Sequence, residues 1–90
     1  MGGLGRPTIT SVLLLEFTIE PFVEGNPGPH VHAAVAAAEA FGVSVEFGPF
    51  GSSCTVSHAQ VAEVSGAIVA QAFANGATHV SLHAERLAGA

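Results

Sequence analysis

Val12-Leu13-Leu14-Leu15-Glu16-Phe17-Thr18-Ile19-Glu20 decides how this chain folds. Read at period two, Leu13, Leu15, Phe17 and Ile19 share one face, and Val12, Leu14, Glu16, Thr18 and Glu20 share the other. That is a strand, predicted over residues 9–20, with one core face and one mixed face. The second face poses the question for the rest of the chain. It carries two aliphatic side chains beside a carboxylate and a hydroxyl, and something must cover or use it.

Downstream, Pro21 and Glu24-Gly25-Asn26-Pro27-Gly28-Pro29 predict a loop, and Pro29 suits a first helical turn because its missing N–H costs nothing there. From His30 the spacing becomes helical: Val31, Ala34, Val35, Ala38 and Phe41 form one stripe, and Gly42 stops the helix. Val43, Val45 and Phe47 then alternate with Ser44 and Glu46 as a second strand whose apolar side, Phe47 included, faces the core. Gly48-Pro49-Phe50-Gly51 is a turn into a third strand, where Ser52, Cys54 and Val56 alternate with Ser53 and Thr55. Ser57-His58-Ala59-Gln60 reads as a capping box for a second helix. Its stripe is Val61, Val64, Ile68 and Ala72, Gly66 and Ala67 permit close approach, and Asn75-Gly76 ends it. A last strand runs from about Thr78 to Arg86, where Val80, Leu82 and Ala84 alternate with His79, Ser81, His83 and Glu85; Val80 and Leu82 face the core, and His79, Ser81 and His83 the other side.

The order β-α-β-β-α-β predicts an α+β, ferredoxin-like sandwich: an antiparallel four-stranded sheet in the order 4-1-3-2 with both helices on one face. Ninety residues suffice for one domain, placed at residues 9–90 after a flexible leader at 1–8. Only 10% of the residues are charged against about 25% in an average domain, with neither Lys nor Asp present, so part of the surface is expected to lie against another subunit. A net charge of −5 with Arg6 and Arg86 as the only such cations disfavours nucleic acid and anionic membrane, and favours a cationic small molecule. Cys54 is the only cysteine, which excludes an internal disulfide and a zinc framework. The apolar run at residues 12–15 is too short for a membrane span or a signal sequence, and a cytoplasmic location follows by default.

Five histidines invite a metal reading, and the spacing argues against it. His30 and His32 point about 200° apart around a helix. His79 and His83 share a strand face but stand roughly 13 Å apart. Neither metal nor cofactor is expected, although a shared site across a symmetric interface is geometrically open. Cys54 falls on the helix-covered face, where a thiol is an inert small hydrophobe. With no Asp to orient a histidine, Glu16 and His83 on neighbouring strands are the single acid–base pairing available, too little to predict an enzyme. The stronger constellation is a polar pocket on the uncovered face: Glu16 and Thr18, with Ser53 and Thr55 on one side, Ser81 and His83 on the other, and Phe50 at the turn. It suits a flat heterocycle bearing amino groups. A polar face that merely pairs with its symmetry mate is the alternative, and residue chemistry leaves both open.

Glu16-Phe17-Thr18-Ile19-Glu20-Pro21, the run Phe41-Gly42-Val43, the turn Gly48-Pro49-Phe50-Gly51-Ser52-Ser53 and Asn75-Gly76-Ala77 follow one another in an order and spacing that resembles the thiamine-binding, YkoF-like family over residues 12–87. The resemblance implies the ferredoxin-like fold, homodimers or homotetramers joined through their sheets, and binding of thiamine or its hydroxymethylpyrimidine part. Glu16 and residues 48–53 match the family's ligand-binding positions. Departures are Thr55 where many relatives carry Glu, Phe50 in place of Met, and His30 in place of a Tyr at the loop side of the pocket. The expected function is non-catalytic binding of such a heterocycle in thiamine salvage or transport. Glu16 would meet the aminopyrimidine, Thr18, Ser52, Ser53 and His83 would orient it, and Phe47 or Phe50 would pack on a ring. The alternative is a structural or regulatory assembly module with no small-molecule ligand.

Overall fold

A computed structural model describes residues 12–21, 27–48 and 51–87. The elements are β1 (Val12–Glu20), α1 (Pro29–Glu39), β2 (Glu46–Gly48), β3 (Gly51–Ser57), α2 (Val61–Ala74) and β4 (His79–Arg86). They form a four-stranded sheet in the order β2-β3-β1-β4, every neighbouring pair antiparallel, which is the expected ferredoxin-like arrangement. The leader placed at residues 1–8 and the first three residues of the predicted first strand lie outside the described residues.

Strand β1 is central, and its alternation is realised from Leu15 onward, with Leu13 partly buried against the core. Leu15, Phe17 and Ile19 are buried, whereas Glu16 and Glu20 are exposed. These three pack with Cys54 and Val56 of β3, Val31, Ala34, Val35 and Ala38 of α1, and Val64, Ile68 and Ala72 of α2 into one core. Each fully buried aliphatic side chain here contributes about 1.5–3 kcal/mol. The small residues of α1, Ala34 and Ala38, have no exposed surface and let the two helices lie close together on the sheet.

Both helix ends use glycine as anticipated. Gly42 (φ 87°) follows α1 and Gly76 (φ 106°) follows α2, each in the left-handed region where a Cβ is unfavourable. Pro29 opens α1 behind Gly28, whose backbone carbonyl accepts from Val31 and His32.

Four expectations need correction. Val43 and Val45 pack against the core but precede the strand, so β2 is three residues long rather than five. Phe47 is 57% exposed: it has the inward parity, yet it sits on a three-residue strand at the sheet edge, where few neighbours cover it. The capping box does not close, because α2 starts at Val61. Ser57 instead donates to the Gln60 side chain (3.2 Å), whose amide donates to the Phe41 carbonyl (3.2 Å) and ties the two helices' ends together. Gly66 permits no close approach, being exposed with open space where a Cβ would stand.

Candidate functional site

The face of the sheet away from the helices holds a cleft of about 500 Å³. Its floor is set by register. Glu16 in the middle of β1 stands opposite Ser53 of β3 and His83 of β4, and Thr18 stands opposite Ser81. All five line the cleft, together with Gly48 and Gly51. Antiparallel pairing thus gathers one carboxylate, three hydroxyls and one imidazole from three strands, because residues of equal parity emerge on the same side.

Gly51 is required by close approach. A Cβ there would lie 2.7 Å from Thr18 Cγ2 and 2.8 Å from the Phe17 carbonyl oxygen, so only hydrogen lets the start of β3 lie against β1 beside the cleft. Gly48 pairs with Gly51 across the hairpin and continues the same smooth wall.

Of the residues expected to bind a ligand, the structure brings together Glu16, Thr18, Ser53 and His83. Ser52 also borders the cleft, but it is buried and paired with Phe17, so its hydroxyl belongs to the helix side and the main chain is what meets the cleft. Phe47 lines only a hollow of about 20 Å³ with Phe17 and Val31 and is no wall of the main cleft. Phe50 lies outside the described residues. Thr55 stands opposite Leu14 and is likewise not part of the cleft.

His30 also departs from expectation. Its ring is buried, and Nε2 donates to the Pro21 carbonyl (2.5 Å), which can only accept. Gly28 makes room for that ring, since a Cβ would come within 2.7 Å of Cε1. This imidazole links the start of α1 to the chain leaving β1. It does not line the cleft.

The thiol is placed as foreseen. Cys54 is buried in the core and burial pushes its pKa up, which keeps it protonated and unreactive at neutral pH.

One neighbour of the cleft was missed from the sequence. Glu85 lies two residues beyond His83 on the same face, with its Oε1 3.8 Å from His83 Nε2. Strict alternation along the last strand carries that signal. Above the cleft, Val12 and Leu14 share the open face and are half-buried, and at its other end His79 meets Glu20 (3.5 Å).

No protein-family model matches the sequence, and no curated protein matches it. Among solved structures, the chain is similar to a structure of the domain of unknown function DUF77 from Bacillus cereus, with a TM-score of 0.62 and 15% sequence identity. The match covers 87% of this chain and 76% of that one, and it shows the shared fold. No helix among the described residues is long and apolar enough to cross a membrane.

Proposed function

We propose that this chain binds, without transforming it, a flat amino-bearing heterocycle of the thiamine or hydroxymethylpyrimidine class in the open-face cleft, as a subunit of a homodimer or homotetramer. The observation that carries the reading is the position of Glu16: a carboxylate at mid-strand on the floor of a 500 Å³ cleft, with Thr18, Ser53, Ser81 and His83 around it. That volume lies within the usual small-molecule range. A carboxylate facing an exocyclic amine accepts a charge-assisted hydrogen bond from it, and the hydroxyls on both sides can donate to the ring nitrogens. The net charge of −5 attracts a cationic thiazolium. Resemblance of the segments around Glu16 and Gly51 to the thiamine-binding family points the same way.

Titration calorimetry with thiamine and with hydroxymethylpyrimidine tests this. Saturable heat, reduced in Glu16→Gln, is the expected outcome; a folded protein that stays silent at millimolar ligand overturns it.

A second reading is favoured by Val12 and Leu14, which leave aliphatic surface on the open face of β1. The face would then serve assembly alone, pairing with the same face of a second copy and holding no guest. It requires a stable oligomer that gives no heat with either compound.

A further inference from the structure

Beyond the heterocycle, we propose that Glu16, His83 and Glu85 form a site for a divalent first-row transition-metal ion of the zinc or cobalt class. The three side chains offer one ligand atom each, and these atoms lie within 4.8 Å of one another. Their meeting is imposed by the sheet. Glu16 and His83 are direct cross-strand partners in the β1–β4 ladder, and Glu85 follows His83 by two residues on the same face. Ligands mounted on paired strands have fixed Cα positions, which is the arrangement a metal site needs.

Donor atoms around such an ion, bound at about 2.0–2.1 Å, stand roughly 3.3 Å apart. Closing the present triangle therefore takes side-chain rotation of about 1–1.5 Å. Nothing packed has to move, because the His83 and Glu85 side chains are 67% and 54% exposed. The donor set selects the ion: an imidazole nitrogen with two carboxylates suits zinc, cobalt or nickel, whereas calcium and magnesium prefer all-oxygen shells. Two carboxylates and a neutral imidazole also balance a double positive charge. Three protein ligands leave a coordination position open, and two of the three, Glu16 and His83, line the cleft.

Glu85 separates this site from the heterocycle reading, since it does not line the cleft. Tag-free protein is titrated with Co²⁺ followed by visible absorbance, and with Zn²⁺ by calorimetry; circular dichroism verifies the fold of each variant. One ion per chain is expected, with affinity reduced about tenfold or more in Glu85→Gln and in His83→Ala. In metal-free buffer Glu85→Gln keeps heterocycle affinity, while Glu16→Gln weakens both ligands. Absence of saturable binding at millimolar Co²⁺ overturns the proposal. Binding that is unchanged in both Glu85→Gln and His83→Ala overturns it equally, because the ion then sits elsewhere.

Discussion

Glu16 of the central strand β1 stands directly opposite His83 of the edge strand β4, and both line the cleft. The pairing sets an acceptor beside a group that donates or accepts. It does so on the face that the helices leave uncovered.

Because Glu16 is exposed, its neutral isostere should leave the fold intact and strike the ligand. Glu16→Gln is expected to lower affinity for an aminopyrimidine by roughly tenfold or more, the range for losing a hydrogen bond to a charged group. Calorimetry reads the affinity, and an unchanged melting temperature shows that the loss is local.

Two glycines should respond to alanine with opposite signs. Gly51→Ala drives a Cβ against the Phe17 carbonyl and Thr18, and is expected to cost about 1–3 kcal/mol while distorting the cleft. Gly66→Ala, in an exposed helical position with open space around it, should stabilise by about 0.5–1 kcal/mol. Urea unfolding of both variants distinguishes the two. Equal effects would contradict the close approach at Gly51.

The core predicts its own losses. Leu15 and Ile68 have no exposed surface, one on the central strand and one on α2 where it faces the sheet. Truncating either to Ala is expected to cost about 2–5 kcal/mol, a large share of what a domain of this size possesses. Denaturant midpoints measure the cost.

Cys54 gives a pH dependence with a definite sign. Burial raises its folded-state pKa, so in the unfolded chain the thiol ionises first as pH rises. The stability it contributes is whole below the unfolded thiol value of about 8.5 and declines above it toward the higher folded value. Stability curves at neutral and alkaline pH should show that decline in the native protein and lose it in Cys54→Ala. Thiol-modifying reagents should react slowly with the folded chain at pH 7.

Much of this was legible in the sequence, and the reason is alternation. Leu15, Phe17 and Ile19 declared the buried face of β1, and Gly42 and Gly76 declared the helix ends, because period and φ are local properties. What remained hidden depends on lateral position. Phe47 has inward parity, but parity alone does not say that its strand is a short one at the sheet edge, where the side chain stays exposed. Ser52 and Ser53 read alike as hydroxyls near a turn. Only the partners Phe17 and Glu16 assign one to the helix side and the other to the cleft. Alternation puts Glu85 on the face of His83, and the β1–β4 register sets Glu16 beside them.

That register also limits how the chain can change length. Inserting or deleting one residue within β4 would exchange inside for outside beyond that point, pushing His83 toward the helices and Leu82 into the cleft. A two-residue change keeps every side chain on its own side. An odd-length change inside β4 therefore disturbs core and cleft together unless a bulge absorbs it.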